Sequence, residues 1–412
     1  MESRSKGRKR SRIHLRFASA IAVLMLCVLL AQMYGKLFRP NGNDLFSYLQ
    51  SARALMQGNS PYETGSPFPY IYPPFLAFIL IPLTSLPLWL SGLLWFLFNA
   101  TAYIFALKIL LDMLFKAWGT ALDPRAWIVV TAVSILAFDV IQNHMLNGQV
   151  NFVVLALTVL FFKALSQGKN AGAALLLSLA VVIKLVPLIF LVYLLVRRKV
   201  RALVYAIGLT ILVMLLPLPL VGGKIFSFYH TYLHQFLLSR VGLSGEWGPG
   251  TGGFSLRSLL DPLFSSADSR FSGLVLASVL VLMPIICLEL TRRTDKDQEK
   301  ELWVFCLYLI ATLLISPMSE THHLVLFIPA LALGSVAIVC RAEYVSFGRI
   351  FLYVAAFVFL LAGKMLDSSP LYFLSLVMGY CGTIAMCLAG APKAGSFLQT
   401  TKSTGIHGEE GS

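Results

Sequence analysis

The chain reads as an all-α polytopic membrane protein of about 11–13 transmembrane helices, and three observations lead there. Of its 412 residues, 58% are hydrophobic and only 13% charged, against about 45–50% and about 25% in ordinary soluble domains. Apolar stretches of roughly 15 to 25 residues recur from Phe17 to Gly390, a length that approaches or crosses the hydrocarbon core of a bilayer. The polar residues between them are short and basic, as helix ends and cytoplasmic turns are in such chains.

The first apolar run extends from Phe17 to about Met33 and follows seven basic residues that begin with Arg4 and end with Arg16. It carries no small-x-small cleavage site, so 1–16 is expected to be a basic cytoplasmic N-terminus and the run an uncleaved helix. That helix delivers the first long polar stretch, 36–71, to the outer face. Within it Leu45, Tyr48, Leu49, Ala52, Leu55 and Met56 keep helical spacing, with Asn43 as a cap and Gly58 as a stop. The spacing predicts a short helix lying on the membrane surface. After it, Ser60-Pro61-Tyr62 and Phe68-Pro69-Tyr70-Ile71-Tyr72-Pro73-Pro74 form a rigid aromatic loop, because proline excludes regular helix there.

Further spans are expected near 72–86, 89–111, 126–142, 150–166, 171–196 and 202–221, and a second outer loop over 222–270. Beyond it lie spans near 272–290, 302–316, 322–340, 349–364 and 371–389, and then a polar tail, 391–412, with the composition of disorder. The membrane domain is therefore 17–390. Arg197-Arg198-Lys199, Arg292-Arg293, and Arg341 with Arg349 mark cytoplasmic turns on this count. The span at 72–86 is short, and the count leaves Lys116 and Arg125 outside. If an early segment is re-entrant, the loop around Asn147 changes face.

The formal charge of +14 does not indicate nucleic acid, because no basic stripe is interleaved with aromatics. The six cysteines lack metal-ligand spacing, so neither a metal site nor a disulfide framework is expected. A Gly-rich phosphate loop, a G-x-S-x-G elbow and an Asp-x-Asp pair are also missing, which argues against a cytosolic nucleotide as substrate.

Five polar features stand out against the apolar background. Asp44 opens the surface helix, where it serves either as a general base or as an acidic complement to the helix dipole. His322 and His323 follow Ser316-Pro317-Met318-Ser319-Glu320-Thr321 at a helix start, where imidazoles either contact phosphate and move protons or simply cap. Lys184, three residues before Pro187, falls in the middle of the span read as 171–196. A charge at that depth costs about 2.5–3.5 kcal/mol on insertion scales and calls for a cavity or an anionic partner. Asn143, His144, Asn147, Gln149 and Asn151 cluster around Gly148, either as an interhelical turn or as a head-group site. Arg257, in the second outer loop, is a candidate anion contact.

In order along the chain, Asp44 with Tyr48, Gly58-x-x-Pro61-Tyr62, Tyr72-Pro73-Pro74, Asn147-Gly148-Gln149-Val150-Asn151, Lys184-x-x-Pro187 and Ser316-Pro317-x-Ser319-x-x-His322-His323 resemble glycosyltransferase family 87. These are GT-C enzymes similar to polyprenol-phosphate-mannose-dependent mannosyltransferases. Two positions depart from the family pattern. Gly-Gly-Phe-Ser255-Leu256, followed by Arg257, replaces Asn-Gln-Ser-Leu and its arginine, and Glu320 stands where a tryptophan is common; both are consistent with a different sugar or acceptor.

The resemblance implies a GT-C-type bundle with two long outer loops, in the plasma membrane with its N-terminus cytoplasmic. It also implies inverting transfer of a sugar, mannose first, from a polyprenyl-phosphate donor to a lipid-linked or cell-envelope acceptor on the outer face, without a cofactor. Asp44 would be the base, His322 and His323 would help the phosphate depart, and Tyr62, Tyr72, Gln149, Lys184, Arg257 and Glu320 would bind substrate. A polyprenyl phosphate leaves as a stabilised anion, so a single carboxylate suffices where a glycosidase needs two. The competing reading is a transporter or flippase of lipid-linked sugars, whose signature is related halves and midplane functional residues.

Overall fold

A computed structural model describes residues 2–39, 42–238, 283, 285–294, 297–316 and 319–389. Arg257, most of the second long loop and the 391–412 tail lie outside the described residues. Every described element is helical. Among the described residues, five helices are long and apolar enough to cross a membrane, and a sixth crossing results if one bent pair counts as a single span.

Helix α1 (Glu2–Leu37) leads to α2 (Asp44–Met56), which Asn43 caps by accepting the amide hydrogen of Phe46. The stretch expected to span at 72–86 does not cross. It forms α3 (Pro74–Ile79) and a 3-10 turn over Ile81–Ser85, together too short for a core ~30 Å thick. Its prolines account for this: Pro74 suits a first helical turn, while Pro82 and Pro87 interrupt the ladder of a longer helix. Helix α4 (Leu88–Ala117) therefore starts at the Asp44 end, where the Tyr34 hydroxyl donates to the Trp89 carbonyl.

Helices α5 (Pro124–Leu136) and α6 (Phe138–Leu146) return with a 68° bend between them and bring Asn147 back to that end. The Asp44 amide donates to the Asn147 carbonyl at 3.0 Å, and the Lys36 ammonium donates to the Asn147 side-chain oxygen. With 72–86 removed from the count, Trp118 and Arg125 lie at the opposite, basic end. There the Arg341 guanidinium stacks 4.6 Å from the Trp118 ring.

The second correction lies at 171–196. Helix α7 (Asn151–Ser166) runs away from the Asp44 end and α8 (Asn170–Ile183) runs back towards it. The chain then reverses through Val186–Leu188 into α9 (Ile189–Val196). The reversal follows from the rings that α9 meets: Phe190 packs on Phe161 and Tyr193 on Phe162, both deep along α7. Arg197 reaches Glu301 at 3.1 Å and Thr294 at 3.2 Å, at the basic end. Helix α10 (Val200–Met214) climbs again beside α8, where the Ser178 hydroxyl donates to the Ala206 carbonyl.

The stretch 72–86 therefore folds back at one end, and 171–196 is a hairpin with two arms each shorter than the membrane-crossing helices. The start of the second long loop still falls at the Asp44 end, where the Lys224 ammonium donates to the Gly58 carbonyl at 3.0 Å. Beyond α10 come α11 (Leu218–Val221) and α12 (Lys224–Thr231), then a π-helical turn over Tyr232–Leu238. After them α13 (Gln298–Ile315) rises to the Asp44 end and a 3-10 turn, Thr321–Leu326, leads into α14 (Ile328–Cys340). Helices α15 (Phe347–Met365) and α16 (Ser369–Leu388) close the bundle.

Glycines permit the tightest crossings. A Cβ on Gly334 would come 2.2 Å from the Tyr353 ring, and one on Gly379 would come 2.3 Å from the Phe327 ring. In lipid, where apolar burial supplies little drive between helices, such close packing holds a bundle together.

Candidate active site

Three chain breaks converge at one end of the bundle. The first is the N-terminus of α2, docked on the 146–149 turn. The Asn43 amide donates to the Leu146 carbonyl at 3.1 Å, and the Trp95 indole donates to the Gly148 carbonyl at 2.8 Å. Gly148 sits at φ +64°, and a Cβ there would come 2.9 Å from the Leu45 Cβ. Only glycine fits both the left-handed backbone and the close approach.

The second break is at Lys184. Pro187 would clash with the Ile183 carbonyl in a continued helix, and α8 stops at Ile183. Lys184 is left extended, at φ −153° and ψ 127°. Its ammonium donates to the Asn151 side-chain oxygen at 2.7 Å and lies 5.5 Å from the Tyr72 ring centre. The charge is thus at the mouth of a helical hairpin, not in the middle of a span.

The third break is the turn before α14. Glu320 and His323 form a reciprocal cap: the Glu320 carboxylate accepts the His323 amide hydrogen, and the Glu320 amide donates to His323 Nδ1 at 2.9 Å. Nδ1 is thereby the acceptor nitrogen, so the ring proton sits on Nε2. Nε2 lies 2.8 Å from the Lys184 ammonium. An ammonium and an imidazole stand side by side there on the cavity wall, an arrangement suited to an anionic oxygen. Asn151 ties this corner together, because its amide donates to the His322 carbonyl at 3.1 Å while its oxygen holds Lys184.

These breaks surround a cavity of about 820 Å³, within the range of ligand sites. Asp44, Tyr72, Gln149, Lys184, His322 and His323 all line it, and Glu320 stands at its exposed rim. Its other wall is apolar, from Leu185, Val186 and Ile189 across to Ile315, with Tyr232 and Phe236 alongside. Polar chemistry at one pole and a lipid-compatible wall at the other suit a substrate that is part sugar and part hydrocarbon.

The Tyr72 hydroxyl donates to Gln149 Oε1 at 2.8 Å, and the Gln149 amide donates to Asp44 Oδ2. Burial, with a smaller push from the Glu320 carboxylate, raises the Asp44 carboxyl to about 6, outweighing the Gln149 donor and the Lys36 and Lys184 charges that pull it down. A carboxyl poised there exchanges protons near neutrality, as a general base must.

Tyr62 is placed differently from its expected contact with substrate. Its hydroxyl donates to the Tyr72 carbonyl at 3.0 Å and its ring packs on Phe236, so it braces the cavity from behind. Arg257 lies outside the described residues. His144 is structural: its Nε2 accepts the Phe152 amide hydrogen at 3.2 Å, fixing the start of α7. Sequence reasoning missed Lys36, whose only signal was a lysine ending the first apolar run. It also missed Tyr232 and Phe236, an aromatic pair at helical spacing.

Residues 70–317 match the sequence profile of glycosyltransferase family 87. The chain belongs to that family. The transferase is 27% identical over 340 residues, 78% of its length and 77% of the relative's, to a polyprenol-phosphate-mannose-dependent alpha-(1-2)-phosphatidylinositol mannoside mannosyltransferase of Mycobacterium tuberculosis. It is 29% identical over 327 residues, covering 76% and 71%, to the corresponding pentamannoside mannosyltransferase of the same species. Among solved structures it is similar to ArnT from Cupriavidus metallidurans bound to undecaprenyl phosphate, at a TM-score of 0.41 and 15% identity over 90% of this chain and 77% of that one. Asp44, Glu320, His322 and His323 fall outside the stretch that matches the profile, and the fold brings them to Tyr72, Gln149 and Lys184 within it.

Proposed function

We propose that this multi-pass transferase moves a hexose, mannose first, from a polyprenyl-phosphate donor to a hydroxyl of a lipid-linked or cell-envelope acceptor, on the outer face of the plasma membrane. The carrying observation is that one cavity joins the poised Asp44 carboxylate to the adjacent side chains of Lys184 and His323, beside an apolar wall. The mannosyltransferase relatives support the donor and the sugar. The concentration of basic residues at the opposite end supports an outer site and a cytoplasmic N-terminus.

In the proposed step the acceptor hydroxyl gives its proton to Asp44 while its oxygen attacks the anomeric carbon. The bond from that carbon to the donor phosphate oxygen breaks, and its electron pair leaves with the phosphate. Lys184 and His323 Nε2–H donate to the departing phosphate oxygens, where charge develops. A single displacement inverts the anomeric centre. Leu185, Val186, Ile189 and Ile315 take the first isoprene units. The chemistry needs no second carboxylate, because a phosphate leaves without protonation.

The test uses membranes containing wild type or Asp44→Asn, supplied with polyprenyl-phosphate mannose and an envelope lipid extract. Released polyprenyl phosphate and mannosylated product are followed together. Wild-type transfer that falls by a factor of at least ~10² in a folded Asp44→Asn variant supports the assignment, general-base effects being of that order. Equal rates in the two remove Asp44 from the mechanism.

A further inference from the structure

We propose that Tyr72 and Gln149 are positioning residues, the Tyr72 hydroxyl fixing the rotation of the Gln149 amide and that amide fixing the Asp44 carboxylate for its acceptor. The proposal rests on Asp44 being the base of the transfer and concerns how it is held. It differs from a sugar-binding role for the pair, because the polar atoms of both side chains are turned towards protein.

A glutamine amide presents an oxygen or an NH2 group after a half-turn, and its neighbours choose between them. Here the neighbour on one side is the Tyr72 hydroxyl, which gives its proton to Oε1 at 2.8 Å. The NH2 group is then directed at Asp44 Oδ2. In the other rotation Oε1 would face the carboxylate, acceptor against acceptor. Both side chains are well enclosed, Tyr72 at 5% and Gln149 at 4% exposure, so water is a poor substitute for a lost partner.

The phenol is itself immobilised. Its ring meets Tyr48 edge-on at 5.1 Å, its carbonyl accepts from the Tyr62 hydroxyl at 3.0 Å, and Pro73 and Pro74 follow it directly. On the other side, the Asn147 carbonyl accepts the Asp44 amide hydrogen at 3.0 Å. The carboxylate is thus held by its backbone and by Oδ2, leaving Oδ1 to receive the acceptor proton.

Among the described residues, the charged groups around Asp44 are Lys36 from α1, Lys184 from the hairpin and Glu320 from the turn before α14. Gln149 is the one neutral donor among them, and its removal raises the pH at which the carboxyl ionises. A hydrogen bond to a buried charge corresponds to about one pH unit or more.

Full-length protein in lipid nanodiscs is treated with a hydrophobic carbodiimide, which labels protonated carboxyls, and Asp44 labelling is followed by mass spectrometry across pH. Four forms are compared: wild type, Tyr72→Phe, Gln149→Met and the double variant. Both substitutions nearly conserve volume. The expected labelling midpoint rises by about one unit in Gln149→Met and about half as far in Tyr72→Phe, with nothing added by Tyr72→Phe once Gln149 is gone. The acidic limb of kcat/KM should follow the same order, while KM for the donor stays within about twofold.

Midpoints that coincide with wild type overturn the proposal, as does a second, additive shift in the double variant, which would mean that Tyr72 acts independently of Gln149. Labelling needs no turnover. If wild type transfers no mannose but the midpoints move as stated, the donor assignment falls and the positioning role stands.

Discussion

Lowering the pH should switch this transferase off with a midpoint near 6, well above the range of an ordinary carboxylate. Burial pushes Asp44 up to about 6, so roughly one-tenth is ionised at pH 5 and about nine-tenths at pH 7. An aspartate at its usual ~3.9 would already be about nine-tenths ionised at pH 5. The expected result is therefore a roughly tenfold rise in kcat/KM between pH 5 and 7, and a further tenfold loss per unit below 5. The assay is initial-rate release of polyprenyl phosphate from nanodisc-embedded enzyme at low donor concentration, where the free-enzyme group is read. Two neighbours identify the titrating group. Lys36 pulls the carboxyl down and Glu320 pushes it up, so Lys36→Met should move the limb to higher pH and Glu320→Gln to lower pH. A flat profile from pH 5 to 7, or limbs that shift in the same direction in the two variants, would refute the assignment of Asp44 as base.

Other regions give equally direct tests. Lys184→Met should lower donor kcat/KM by a factor of about 10², the effect of losing a charged donor to phosphate; an unchanged value in steady-state kinetics would remove Lys184 from the phosphate site. Gly148→Ala places a Cβ 2.9 Å from Leu45 on a residue at φ +64° and should cost about 1–3 kcal/mol, seen as a lower thermal midpoint together with reduced turnover. Arg197→Met removes the 3.1 Å ion pair with Glu301 at the basic end, where Arg197 has 6% side-chain exposure. Glu301 keeps 24% side-chain exposure, so a loss of about 1–3 kcal/mol is expected, and a thermal midpoint within a degree of wild type would contradict it. A membrane-impermeant maleimide should label Asn59→Cys in intact cells and Lys199→Cys only after lysis; the reverse pattern would place the site on the cytoplasmic side.

The membrane class, the helical architecture and the short list of polar residues were legible because they are properties of composition and local spacing. An apolar run reads as a span wherever it occurs, and Asn43 caps α2 through contacts within one turn. The ordered motifs from Asp44 to His323 were likewise enough to indicate the family. Two spans were misread for a shared reason: hydropathy measures length and apolarity but not direction. The stretch at 72–86 is as apolar as a crossing helix, yet its prolines break it into α3 and a 3-10 turn. The stretch at 171–196 has the length of one span, but Pro187 turns it back on itself at Lys184.

Those two corrections change what Lys184 and Asn147 mean. Read as a mid-span charge, Lys184 called for an anionic partner from within the bilayer; at the mouth of a hairpin it meets Asn151 and His323, 33 and 139 residues away. The loop around Asn147 reaches Asp44 only because 72–86 does not cross. Which end each polar residue occupies, which way the Gln149 amide faces and which nitrogen of His323 carries its proton are set by partners distant in the chain. The sequence by itself determined that these groups exist and that lipid surrounds them, since transfer into lipid depends on each segment's own atoms. Only the tertiary structure decided that they meet, because hydrogen-bond partnership depends on the direction in which packed helices run.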